Sequence, residues 1–179
     1  MAENIFLIGF MGAGKSTAAR MLKDRCKMQL LEMDEEIEAR EKMKISEIFE
    51  KKGEAYFRAL ETELLRELEE RQGTVVSCGG GAAMRRRNVE AMKKSGRIIY
   101  LSVRPDTVLS RVAHSHTRPL LEGNMNEAYV RAMMQERLPK YLAAADITVE
   151  TDEKSAEEIC TEIIRAVKEL SELRNEQKV

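Results

Sequence analysis

Short apolar runs alternate along the chain with longer stretches in which apolar residues recur every three or four positions. The runs are Ile5-Phe6-Leu7-Ile8, Leu30-Leu31, Val75-Val76, Ile98-Ile99-Tyr100-Leu101 and Ile147-Thr148-Val149. Each has about strand length, and several lack the in-and-out alternation of a half-exposed sheet, as strands covered on both faces do. Helical spacing predicts segments over 17–26, 35–40, 45–52, 55–70, 88–94, 106–112, 126–138 and 155–170. In the segment 55–70, Leu60, Leu64, Leu65 and Leu68 form one stripe. Ser155-x-x-Glu158 opens the last segment as a capping box, and Pro105 suits a first helical turn, where a missing N–H costs nothing. Strands alternating with helices predict an α/β fold with a parallel sheet covered by helices on both faces. The stretch 113–124, with Pro119 and Gly123, has no period, and a connection that long reads as a lid or binding loop. The polar tail 171–179 is expected to fray.

Composition narrows the classes. A length of 179 residues suits one domain with a core of its own and leaves too little for a second, so 1–179 is expected to be a single unit. The 30 Lys and Arg balance 31 Asp and Glu. A general binder of nucleic acid or membrane surface carries a one-sided excess, and neither partner is expected. Cys26, Cys78 and Cys160 are odd in number, far apart and in no Cys-x-x-Cys or Cys/His cluster, so a reducing cytoplasm is the expected setting. The N-terminus lacks a basic region, and its apolar stretch is broken by Gly9, Gly12 and Gly14. It reads as neither signal peptide nor membrane span.

The first strand runs into Gly9-Phe10-Met11-Gly12-Ala13-Gly14-Lys15-Ser16-Thr17, with a helical pattern directly after. This is G-x-x-x-x-G-K-[ST] in the strand-to-helix context that a P-loop requires. Glycines let backbone N–H groups approach phosphate oxygens, and the helix N-terminus adds partial positive charge. Gly12, Ala13, Gly14, Lys15, Ser16 and Thr17 thus form the candidate ATP cradle, with Lys15 at the β- and γ-phosphates and Ser16 on Mg²⁺. A P-loop names a nucleotide and not a reaction.

Three further clusters could face an acceptor. Glu32-Met33-Asp34 ends the second strand, where period two puts both carboxylates on one side at the carboxyl edge of the sheet. There they could order Mg²⁺ waters or take a proton from a hydroxyl, and Asp34 could instead cap a helix. In Phe57-Arg58-Ala59-Leu60-Glu61, Arg58 and Glu61 share a helix face. They read either as a surface ion pair or as an arginine held by Glu61 to receive a carboxylate. In Ser77-Cys78-Gly79-Gly80-Gly81-Ala82, the three glycines allow close backbone approach to a ligand. Cys78 beside them reads as a small buried residue.

These motifs, with Arg118-Pro119-Leu120-Leu121 and Glu136-Arg137-x-x-x-Tyr141, stand in the order seen in shikimate kinases, and the chain resembles that family from about residue 4 to residue 165. The resemblance implies a three-layer P-loop fold of the nucleoside-monophosphate-kinase-like group. Its five-stranded parallel sheet would run 2-3-1-4-5, with a short lid. It implies transfer of phosphate from ATP, with Mg²⁺, to the 3-hydroxyl of shikimate. By the same resemblance, Asp34 is the base that binds ring hydroxyls, and Arg58 and Arg137 hold the substrate carboxylate. Glu61, Gly79, Gly80 and Gly81 line that pocket, while Arg118 reaches ATP phosphates from the lid and Arg111 stacks on adenine. Glu32 stands where the family usually has Asp, and a metal role through water is expected to survive one extra methylene. Lys154 stands where the family commonly has an arginine against the adenine. His114 and His116 match no role in the family and read as solvated loop residues.

The competing readings are another small-molecule kinase, such as a gluconate kinase, and a nucleotide-binding module without chemistry. The first does not need Arg58 and Arg137 around a three-glycine turn, and the second does not need Lys15, Ser16, Asp34 and Arg118 together. An adenylate kinase would need a longer lid, and a GTPase an Asn-Lys-x-Asp run that the chain lacks. The expected partners are ATP and shikimate, with the chain acting as a monomer.

Overall fold

The structure is a computed structural model and describes residues 3–112 and 127–176. Its strands are β1 (Asn4–Ile8), β2 (Gln29–Glu32), β3 (Thr74–Ser77), β4 (Gly96–Ser102) and β5 (Ile147–Glu150). All neighbours are parallel, in the order β2-β3-β1-β4-β5. The helices are α1 (Lys15–Cys26), α2 (Met33–Glu41), α3 (Ile45–Lys52), α4 (Glu54–Glu67), α5 (Arg86–Ser95), α6 (Pro105–Val112), α7 (Glu127–Ala144) and α8 (Ala156–Glu176).

The unbroken apolar run of β1 has a direct structural cause, because this central strand is buried on both faces. Ile5 and Leu7 enter one core with Ala19 and Leu22 of α1 and Ile163 and Val167 of α8. Phe6 and Ile8 enter the other, with Ile37 of α2, Leu64 and Leu65 of α4, and Met92 of α5. Burying one such side chain stabilises the fold by roughly 1.5–3 kcal/mol. The three layers and the strand order are those expected.

Four boundaries differ from the sequence reading. β2 stops at Glu32, and Asp34 lies in the first turn of α2 instead of continuing the strand. Helix α4 stops at Glu67 and tightens into a 3-10 turn, Leu68–Glu70. Helix α7 does not stop at residue 138 but runs through Pro139 to Ala144. Pro139 removes one backbone N–H, and burial of Tyr141 and Ala144 beyond it offsets that loss. Helix α8 continues through Glu176, so residues 171–176 of the expected frayed tail are helical, and the Ser171 hydroxyl donates to the Val167 carbonyl at 2.8 Å. The capping box forms as read, with the Glu158 N–H on Ser155 Oγ at 3.2 Å and the Ser155 N–H on Glu158 Oε2 at 2.7 Å. The lid 113–124, with Arg118, His114 and His116, and residues 177–179 lie outside the described residues.

Candidate active site

The chain leaves β1 through Gly9, Gly12 and Gly14, at φ +145°, +76° and +90°. A Cβ at Gly9 would stand 2.6 Å from the Leu101 carbonyl oxygen, so both its conformation and its packing call for glycine. No side chain caps the first turn of α1. Its N–H groups and the positive end of the helix are therefore available to anionic oxygens. Lys15 is buried within the loop, its Nζ donating to the carbonyls of Gly9 at 2.8 Å and Phe10 at 2.9 Å.

A cavity of about 550 Å³ opens over this loop. Its walls bring together the predicted residues Gly12, Ala13, Gly14, Lys15, Ser16, Thr17, Glu32, Asp34, Gly79, Gly80, Arg111 and Lys154. Arg111 donates to the Gly12 carbonyl at 2.7 Å, and Lys154 pairs with Glu162 at 2.6 Å.

Beside the loop lies a cluster of oxygens. The β2–β3 register sets Glu32 opposite Ser77, and the Ser16 hydroxyl stands 2.9 Å from Glu32 Oε2 and 3.2 Å from Ser77 Oγ. The other carboxylate oxygen, Glu32 Oε1, is buried without a hydrogen bond, 3.6 Å from the Arg20 guanidinium. Hydroxyl and carboxylate oxygens with a spare acceptor suit a hard cation such as Mg²⁺. Among the described residues, no group of three or more His, Cys, Asp and Glu forms a cage by itself.

The acceptor-side residues meet at the three-glycine turn. Asp34 reaches it from α2, so the period-two argument is corrected: buried Met33 begins the helix, and Asp34 follows at helical pitch. A Cβ at Gly79 would lie 3.1 Å from Asp34 Oδ1 and 2.6 Å from Glu61 Oε1, so two carboxylates close on that one position. The pair Arg58–Glu61 is not a surface ion pair. Glu61 is fully buried and Arg58 is 9% exposed, with Nη1 donating to Glu61 Oε2 at 2.8 Å. Glu61 Oε1 has no hydrogen-bond partner. Burial pushes the Glu61 carboxyl above the usual carboxylate range, Arg58 opposing and Asp34 reinforcing the rise.

The two arginines flank the turn. The Arg58 guanidinium carbon lies 2.6 Å from where a Gly81 Cβ would be, and Arg137 Nη1 lies 3.6 Å from the corresponding point at Gly80. The Arg137 guanidinium also lies over the Phe10 ring at 5.7 Å. Cys78 is buried, and burial holds its thiol well above the usual range, away from the nucleophilic thiolate.

Three residues in the site carried no role in the sequence reading. Ser77 was findable only from strand register. Glu54, one turn before Arg58, accepts from Arg58 Nε at 3.1 Å and Nη2 at 2.9 Å. Tyr141 donates to the Gly80 carbonyl at 2.6 Å. Its spacing from Arg137 is visible in the sequence, whereas its bond to the Gly80 carbonyl depends on the helix continuing through Pro139.

A parallel sheet with a P-loop after its first strand, a hydroxyl–carboxylate cluster beside the loop and a charged pocket across from it define a P-loop kinase. Known proteins narrow the class. A family model described as shikimate kinase matches residues 11–168. A shikimate kinase of Dehalococcoides mccartyi is 41% identical over 161 residues, 90% of this chain and 91% of the relative. The solved structure of a shikimate kinase from Acinetobacter baumannii, in complex with shikimate, superposes with a TM-score of 0.88 at 36% identity, covering 92% of each chain. The chain belongs to the shikimate kinase family. A gluconokinase structure from Sinorhizobium meliloti shares the fold, with a TM-score of 0.63 at 17% identity over 99% of this chain and 98% of that one.

Proposed function

We propose that the chain transfers the γ-phosphoryl group of ATP to the 3-hydroxyl of shikimate, giving shikimate 3-phosphate and ADP. The observation that carries this reading is the pair of guanidiniums, Arg58 and Arg137, on either flank of a three-glycine turn that abuts a phosphate cradle. A compact hydroxylated ring with one carboxylate suits that arrangement. Its carboxylate meets the arginines, and its hydroxyls meet Asp34, which closes on the same turn at Gly79.

In this reading the backbone of Gly12 to Thr17 and the Lys15 ammonium hold the phosphates, Arg111 and Lys154 flank the base, and Arg118 approaches the phosphates from the lid, about 113–124. Asp34 accepts a hydrogen bond from the attacking hydroxyl and takes its proton. Glu61 keeps Arg58 in place. Ser16, Glu32 and Ser77 are the residues that would hold Mg²⁺, which would supply neutralisation of phosphate charge. The rest is orientation and charge complementarity.

The reading extends to one kinase domain over 1–179, acting as a monomer in the cytoplasm. The three cysteines are free, and no helix among the described residues is long and apolar enough to cross a membrane. ADP release from MgATP, compared with shikimate, gluconate, AMP and no acceptor, tests the reading. Turnover with shikimate alone, over a low water background, is expected. Turnover with gluconate in its place, or with no acceptor at all, overturns it.

A further inference from the structure

Tyr141 sits where three parts of the site converge. Its ring is buried and stacked on Tyr100 of β4, with centroids 5.1 Å apart and planes 15° from parallel. Tyr100 is the register partner of Ile8, the last residue before the P-loop turn. The Tyr141 hydroxyl donates to the carbonyl of Gly80, the central residue of the acceptor turn. Arg137 lies one helical turn earlier on α7, on the same face. One side chain therefore ties the acceptor turn to the root of the phosphate cradle and to an arginine that flanks the turn.

Resting on the shikimate reading above, we propose that Tyr141 is a positioning residue for the acceptor, its hydroxyl fixing the Gly80 peptide against Arg137. Three consecutive glycines have no side chains to hold their backbone, and each has a wide choice of φ and ψ. A turn of that kind needs an external anchor if it is to present one surface to a ligand. The peptide linking Gly80 and Gly81 is trans and planar, so its carbonyl and its N–H point in opposite directions. Drawing the Gly80 carbonyl onto Tyr141 directs the Gly81 N–H away from α7. Gly81 is also the residue against which the Arg58 guanidinium packs. The Tyr141 bond thereby sets the spacing between the two arginines through the backbone they share as a neighbour. Burial pushes the Tyr141 phenol up to about 12 against the pull of Arg137, so the donor proton stays in place over the working pH range.

Tyr141→Phe keeps the ring and its stack and removes only the donor. The Gly80 carbonyl then loses its partner, and KM for shikimate is expected to rise about tenfold, with KM for ATP and kcat within about twofold of wild type. Tyr100→Phe is the control, since it removes a hydroxyl from the other ring of the same stack, and it is expected to leave KM for shikimate unchanged. A lowered urea midpoint with unchanged KM for shikimate in Tyr141→Phe would make Tyr141 a packing residue and overturn the proposal. So would an equal rise in both KM values. If Tyr141→Phe does not fold, a tetrafluorinated tyrosine at 141 retains the shape with a phenol acidic enough to titrate within the working pH range. KM for shikimate should then rise with pH as the donor proton leaves, while the wild-type value stays flat; flat profiles in both overturn the proposal. Wild-type turnover is measured first. Its absence with shikimate defeats the function reading, whereas wild-type turnover with an indifferent Tyr141→Phe defeats only this inference.

Discussion

The phosphate cradle and the acceptor pocket meet at Gly79 and Gly80, and they are made in opposite ways. The cradle comes from one continuous segment, Gly9 to Thr17. It works largely through backbone N–H groups and a helix end, which any sequence with the right glycines can supply. The proposed pocket draws on α2, α4, the turn after β3, and α7, and it would work through side-chain charges, two of which are buried against each other. Backbone donors cost less to desolvate than ions do, because they carry no net charge. A buried guanidinium and carboxylate hold only as a pair. The difference teaches that the nucleotide half is a local structure carried by the fold, while the acceptor half depends on long-range packing and is open to disruption from several directions.

Asp34→Asn should break the comparison most sharply. Turnover is expected to fall by roughly 10²–10⁴-fold, the usual worth of a general base, while ATP affinity measured by calorimetry stays near wild type. A parallel loss of ATP affinity would mean that the two halves do not act separately. Next in size is Glu61→Ala, which strands a buried arginine and should cost about 3–5 kcal/mol in urea unfolding. Glu54→Ala removes an exposed partner of the same arginine and should cost less than about 1 kcal/mol. Similar losses in both variants would contradict the buried-pair account.

Acidity offers a finer test. A carboxyl whose folded pKa lies above its unfolded one binds more protons in the native state. Glu61 therefore contributes stability that is full in acid and lost as pH rises from the ordinary carboxylate value, ~4.3, through its raised one. Glu67 does the reverse. Its hydrogen bond from Arg40 holds its carboxyl low, so its contribution is present above the ordinary value and lost as pH falls. Urea midpoints across that range should decline less steeply in Glu61→Gln than in wild type, and an unchanged slope would count against the raised value. The smallest effect expected is from Glu54→Gln. Freeing Nε and Nη2 of Arg58 from an exposed carboxylate should lower KM for shikimate by no more than ~5-fold.

The same contrast explains what was legible in the sequence. The P-loop could be read residue by residue because its chemistry lies within nine consecutive positions. The sheet order came from the resemblance, and the buried runs Ile5 to Ile8 and Ile98 to Leu101 agree with it. On the acceptor side the residue types were visible, but their environment was not. Arg58 and Glu61 look the same in sequence whether they face water or lie under the glycine turn, and only the packing of α4 decides. Asp34 was assigned to a strand because period two and period 3.6 cannot be told apart over three residues. Tyr141 stands in a visible motif with Arg137, but its helical setting is hidden by Pro139, where buried contacts further along override a residue that normally ends a helix.

The position of β1 also bears on how the chain is made. It is translated before both of its neighbours in the sheet, β3, starting at Thr74, and β4, starting at Gly96. At ~5–20 residues per second, Ile5 to Ile8 stay without strand partners for on the order of several seconds. During that interval they present an apolar edge that can pair with another nascent chain. A translational pause between β1 and β4 lengthens the exposure. The stretch of this protein in most need of chaperone shelter is therefore the one that later lies deepest in its sheet.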